Sequence, residues 1–121
     1  MKSSCFNNNG YWVNKTLSEF FVKVLEKYPE KIMVIDFTAV WCGPCRIYAP
    51  IFEKIQSEFY EDFIFAKVDV DENQALAMQY EITGVPTTLF VKNGNVLNMG
   101  VGAMKYEMLK QFLETIKPLS N

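Results

Sequence analysis

The 121-residue chain contains no histidine. That removes Ser-His-Asp and Cys-His nucleophilic catalysis from within the chain, because the general base is missing. It also removes the usual nitrogen ligand of zinc. Cysteine is scarce as well, with only Cys5, Cys42 and Cys45. A tetrahedral zinc site draws four ligands from cysteine and histidine, and one Cys-x-x-Cys with one distant cysteine cannot supply them. No metal site is expected. Three cysteines are also too few and too uneven for the disulfide framework of a small secreted scaffold. Basic charge is not in excess: 12 Lys and Arg against 14 Asp and Glu leave a net charge of −2, without the basic patch of a nucleic-acid surface. Long apolar runs are missing. None approaches the ~18 residues of a membrane span, and "MKSSCFNNNGYWVN" has no apolar stretch of the secretory type. Neither nucleic acid nor membrane is an expected partner.

What is present is material for one core. Half of the residues are hydrophobic and ten are Phe, enough for a single packed domain of this length. Residues 1–10 are polar, with Asn7, Asn8 and Asn9 in a row, and read as a flexible tail; residues 11–121 read as the domain. "YWVN" suggests a short edge strand. Thr16 and Glu19 form a capping box ahead of Leu17, Phe20, Phe21, Val24, Leu25 and Tyr28, a helix that Pro29 ends. "KIMVIDF" (31–37) and "FIFAKVDV" (63–70) are nearly continuous apolar runs, as expected of strands buried on both faces. A second helix is predicted from the cysteines onward, with Ile47, Tyr48, Ile51, Phe52, Ile55 and Phe59 on one side and Pro50 kinking it. A short helix runs through Leu76 and Tyr80. Asn93-Gly94 between two apolar runs is a hairpin signal. A last helix presents Met104, Met108, Leu109, Phe112, Leu113 and Ile116. Strand-helix-strand units imply parallel pairing and the hairpin adds antiparallel strands, so the fold class is α/β, with a mixed central sheet and helices on both faces.

The chemistry concentrates in "TAVWCGPCRIYAP" (38–50). Cys42 and Cys45 stand where a strand gives way to a helix. With Cys42 as N-cap, its sulfur faces the unpaired N–H groups of the first turn and the positive end of the helix dipole. Both favour thiolate over thiol. Pro44 fits the first turn, where its missing N–H breaks no helical bond, and it stiffens the ring that a Cys42–Cys45 disulfide would close. The competing readings are half a metal site, which lacks ligands, and two small core residues, which fits poorly with Gly-Pro between them. Redox chemistry is the favoured assignment for a Cys-x-x-Cys beside a strand-helix unit.

Asp36 interrupts "IMVIDF". Burial would raise its pKa and make it a proton acceptor or donor beneath the cysteines, unless the strand ends there and Asp36 reaches water. Lys67, inside "FIFAKVDV", would moderate that charge or else sit on a solvated face. Cys5 reads as a free thiol in the tail, with an intermolecular disulfide as the alternative.

"IDFTAVWCGPC", followed in order by "KVDVDEN", "GVPTTLFVKNG" and "VGA", resembles the thioredoxin family over about residues 14 to 117. The resemblance implies the thioredoxin fold, a three-layer α/β/α arrangement in which a mixed sheet of about five strands is flanked by four helices. It implies thiol–disulfide exchange, with Cys42 as the exposed nucleophile, Cys45 as the buried resolving thiol and Asp36 moving the Cys45 proton, with Lys67 as its partner in the catalytic set. Pro86 would be a cis-proline facing the disulfide. Trp41, Gly43, Pro44, Gly84, Val85 and Gly102 would form a flat apolar groove in which the Val85 backbone pairs with an extended substrate. The Gly-Pro between the cysteines is similar to the reductase branch. The implied partners are disulfide-containing target proteins and an NADPH-dependent thioredoxin reductase as electron source. No bound cofactor is implied, the expected state is a monomer, and the expected location is the cytoplasm, or an organelle where a presequence has been removed. Thr38 and Val40 depart from common family residues at the rim of the site. The alternatives are a thioredoxin-fold binding or chaperone subunit without turnover, and a disulfide isomerase or oxidase.

Overall fold

Strand β3 (Ile32–Thr38) and strand β4 (Phe63–Asp69) are the two apolar runs, and they pair in parallel at the centre of the sheet. Nearly every residue in both is buried, so alternation between apolar and polar is absent from their sequences. The computed structural model describes residues 5–6, 10–13 and 27–117, the first two groups as backbone alone. Within these residues the sheet has six strands, β1 (Cys5–Phe6), β2 (Gly10–Val13), β3, β4, β5 (Thr87–Lys92) and β6 (Asn95–Val101), lying side by side in the order β1-β2-β4-β3-β5-β6. β1 runs antiparallel to β2, which joins β4 in parallel. Cys5 and Phe6 were expected in the polar tail; here their backbone pairs with β2. The helix expected over residues 16–28 lies outside the described residues except at its end.

Three helices are described: α1 (Gly43–Phe59), α2 (Gln74–Gln79) and α3 (Tyr106–Ile116). β5 runs antiparallel to β3, and β6 antiparallel to β5. Asn93 and Gly94 between them both take positive φ (51° and 83°), which the primed hairpin turns require.

The strands alternate cleanly between two cores. Ile32, Val34, Phe63, Phe65 and Phe90 meet Tyr48, Phe52, Ile55 and Phe59 of α1 and Leu109 and Leu113 of α3. Met33, Ile35, Phe37, Ile64, Ala66, Val68, Leu89 and Val91 form the opposite face with Leu76 of α2. Helices on both faces make three layers. The first core is strongly aromatic: Phe52 meets Phe65 edge to face at 5.6 Å between centroids, and Phe90 meets Phe112 at 4.8 Å. Each fully buried Phe contributes roughly 1.5–3 kcal/mol from burial.

The buried stripe of α1 is Cys45, Tyr48, Phe52, Ile55, Gln56 and Phe59. Ile47, expected on that stripe, is 68% exposed; it lies a full helical step off the row that starts at Cys45. Met108 is likewise exposed on α3, where Leu109 and Leu113 hold the core. Helix α1 continues across Pro50, which faces solvent, so water can meet the carbonyl that proline leaves unpaired.

Candidate active site

β3 ends at Thr38, and the chain turns through Ala39–Trp41 into α1. The turn is fixed by the Cys42 N–H donating to the Ala39 carbonyl (3.3 Å). Arg46 also ties this turn, its Nη2 donating to the Val40 carbonyl (3.1 Å). Cys42 is the helix N-cap, with extended backbone (φ −97°, ψ 117°), and its sulfur accepts a hydrogen bond from the Cys45 N–H at 3.1 Å. A sulfur in this position sits at the positive end of a 17-residue helix, the setting that lowers a thiol pKa once the pair is reduced. Cys42 and Cys45 are joined as a disulfide with Cα atoms 5.2 Å apart.

The two sulfurs differ less in burial than expected. Cys42, expected to be exposed, is 5% exposed against 3% for Cys45. Their surroundings differ. The Cys42 sulfur lies 3.7 Å from the Val85 carbonyl oxygen, whereas Cys45 lines a cavity of about 270 Å³ with Thr38, Arg46, Lys67 and Asp69.

The Val85–Pro86 peptide is cis. Val85 packs against the cysteines. It also lines a groove of about 300 Å³ with Trp41, Gly84, Val70, Ile82 and Thr83. Trp41 is 64% exposed and held in place, its Nε1–H donating to Asp71 Oδ2 at 2.7 Å. Gly102, at φ +97°, donates its N–H to the Pro86 carbonyl (2.8 Å), tying the end of β6 to this loop. Gly43 and Pro44 are exposed on the first turn of α1 and do not line the groove. Of the residues expected to form the apolar surface, Trp41, Gly84 and Val85 share one groove, Pro86 and Gly102 are bonded beside it, and Gly43 and Pro44 stand on the adjoining turn.

Asp36 lies within β3, not at its end, and is 1% exposed. Its neighbours in register are Lys67 on β4 and Thr88 on β5. Oδ1 has no hydrogen-bond partner among the described residues. Loss of hydration pushes its pKa up from 3.8 to about 7, against the opposing pull of Lys67. Lys67 is buried, and its Nζ meets Oε2 of the exposed Glu53 of α1 at 3.3 Å. Tyr48 completes the layer. Its hydroxyl lies 2.8 Å from Thr88 Oγ1, and burial pushes its own pKa further above 10.

Several of these residues escape sequence reasoning. Asp71, Glu53, Val70 and Ile82 carry no local signal, because their roles depend on loops and helices that meet only in the fold. Tyr48 and Thr88 read as ordinary members of apolar stretches. The signal available for them was a hydroxyl at a buried position of a helix and of a strand.

The thioredoxin family profile matches residues 12–115. The chain belongs to the thioredoxin family. Thioredoxin-1 of Caenorhabditis elegans is 36% identical over 96 residues, which cover 79% of this chain and 83% of that protein. The mitochondrial thioredoxin of Bos taurus is 41% identical over 87 residues, 72% of this chain and 52% of that protein. The crystal structure of Schistosoma mansoni thioredoxin superposes with a TM-score of 0.79 at 30% identity, covering 95% of this chain and 99% of that one. Membership makes the chain a protein-disulfide reductase that works by dithiol/disulfide exchange at Cys42 and Cys45. Its partners are, in general terms, a thioredoxin reductase and disulfide-bearing targets. Among the described residues, no helix is long and apolar enough to cross a membrane, and no cluster of His, Cys, Asp or Glu could hold a metal ion.

Proposed function

We propose that Cys42 is the attacking thiolate and Cys45 the resolving thiol in the reduction of partner-protein disulfides. In the reduced chain, Cys42 attacks one sulfur of an accessible partner disulfide. A mixed disulfide forms and the first partner thiolate leaves and takes up a proton. Cys45 gives its proton to the Asp36 carboxylate and attacks the Cys42 sulfur. The second partner thiolate leaves, the partner is reduced by two electrons, and Cys42–Cys45 is oxidised. Lys67 holds the Asp36 site close to charge balance through the cycle.

The observation that carries this reading is the disulfide at the N-terminus of α1, with the Cys42 sulfur against the Val85 carbonyl. A thiolate there is favoured by the helix end, and attack is fastest when its pKa lies near ambient pH. The Trp41–Val85 groove supports an extended partner segment, bound by backbone pairing at Val85 in the manner of strand addition. Gly43, Pro44, Gly84, Pro86 and Gly102 leave room for that segment by presenting small or ring-locked surfaces. Electrons return from NADPH through a thioredoxin reductase. The chain acts as a monomer in a reducing cytoplasm, or in an organelle, a location that fits the likeness to a relative titled mitochondrial.

A Cys45→Ser variant tests the relay. It should accumulate partner proteins as mixed disulfides on Cys42. Capture of nothing, with Cys42 still open to alkylation, overturns the assignment. A Cys42→Ser/Cys45→Ser double variant that retains the cellular role would point instead to a binding subunit.

A further inference from the structure

Beneath the disulfide, the face of the sheet that meets α1 changes from aromatic to polar. Asp36, Lys67 and Thr88 lie side by side on β3, β4 and β5, and all three are buried. Tyr48, three residues after Cys45 on the buried stripe of α1, adds its hydroxyl to this layer through Thr88 Oγ1 at 2.8 Å. Packing explains the Tyr48 ring, which tilts against Phe52 at 5.9 Å. It does not explain the hydroxyls. A phenylalanine and a valine would fill the same space, and replacing both partners of a buried hydrogen bond by apolar groups of the same shape is close to neutral.

Two hydroxyls carry two hydrogens, and the bond between them uses one. The second remains for a third group. Directly across the strand pair, Asp36 Oδ1 is buried without a partner. Opposed residues of an antiparallel pair have Cβ atoms roughly 4.5–5.5 Å apart, so rotation of the Asp36 carboxylate about its own side chain brings an oxygen to the Thr88 hydroxyl while Thr88 Oγ1 stays on Tyr48. We propose that Tyr48 and Thr88 are positioning residues: Tyr48 holds the Thr88 oxygen, and Thr88 donates its hydrogen to the ionised Asp36 carboxylate, fixing it for transfer of the Cys45 proton. This rests on the reading of Asp36 as the acceptor of that proton.

Among the described residues, the charged groups nearest Asp36 along β4 have partners of their own. From β4 comes Lys67, itself paired with Glu53 of α1. Asp69, further along β4, is committed to the Asp71 and Glu72 amides. Among the described residues, α1 brings the Tyr48 hydroxyl and β5 the Thr88 hydroxyl to this layer. The hydroxyl pair is therefore the uncharged donor available to the carboxylate from the side opposite Lys67.

The test uses the full chain labelled with carboxyl-13C aspartate. The Asp36 titration is followed by NMR, and the resolving step is followed as release of the second thiol in a single turnover across pH. Thr88→Val should raise the Asp36 midpoint by about one pH unit, the size of one hydrogen bond to a charged group. The pH profile of the resolving step should move with it, slowing that step about fivefold near pH 7. Thr88→Ser should restore both, and Tyr48→Phe should move both in the same direction. An Asp36 midpoint that stays or falls in Thr88→Val and Tyr48→Phe, with unchanged spectra and melting, overturns the inference. Asp36→Asn separates the two ideas. If it leaves the resolving step and its pH profile untouched, the reading of Asp36 fails, whereas the NMR midpoint still reports whether the hydroxyls bond to it.

Discussion

Replacing Asp36 by Asn should stabilise the oxidised protein at high pH and do progressively less as pH falls. In the fold Asp36 binds its proton about three pH units more tightly than in the unfolded chain, with the pKa raised from 3.8 to about 7. Burial dominates and Lys67 offsets part of it. Because the folded state favours the protonated acid, the favourable balance is complete below about pH 3.8 and is lost as pH rises through 7. At about 1.4 kcal/mol per unit, ionising Asp36 costs the fold about 4 kcal/mol by pH 8.5. That is a large share of the 5–15 kcal/mol stability typical of such a domain. Asparagine cannot ionise, so the cost disappears. A buried amide brings its own penalty of about 1–3 kcal/mol, but that penalty does not depend on pH. The decisive quantity is therefore the difference between two differences. Urea unfolding of wild type and Asp36→Asn, both with Cys42–Cys45 oxidised, is measured at pH 4, 5.5, 7 and 8.5. The stability of the variant relative to wild type should rise by about 4 kcal/mol from pH 4 to pH 8.5, most of it between pH 4 and 7. A change below about 1 kcal/mol over that range would refute the reasoning, because it would mean that Asp36 keeps its hydration or a full set of hydrogen bonds in the fold.

Two further outcomes follow from the groove and the core. Trp41→Ala removes the exposed wall of the groove and its bond to Asp71. It should raise KM for a protein disulfide roughly tenfold with little change in kcat, measured by insulin reduction alongside a small aromatic disulfide whose reduction is nearly unaffected. Phe52→Ala deletes a fully buried ring that packs on Phe65 and Tyr48. It should cost about 3–5 kcal/mol in denaturant unfolding, and a loss under about 1 kcal/mol would show that the core closes over the space.

Much of the fold was legible because its signals are local. Continuous apolar runs mark β3 and β4, Asn93-Gly94 marks the β5–β6 turn, and the row from Tyr48 to Phe59 marks α1. The errors were one helical step in size. Ile47 and Met108 lie just off their buried rows, and apolarity alone does not say which edge of a stripe reaches solvent. The two-residue strand at Cys5–Phe6 carries too little pattern to register in the sequence.

The sequence by itself determined the chemistry at this site. Two cysteines spaced as N-cap and N3 put one sulfur at the helix end, and the absence of histidine excluded the competing nucleophilic and zinc chemistries. Tertiary structure decided what surrounds that chemistry. Only the strand register sets Lys67 and Thr88 on either side of Asp36. Only the packing of α1 on the sheet brings the Tyr48 hydroxyl to Thr88. Only the loop before β5 carries Val85 to the Cys42 sulfur, 43 residues away in the chain. The physical reason is range: capping and periodicity act within a few residues, whereas desolvation and hydrogen bonding depend on which distant segments exclude water together.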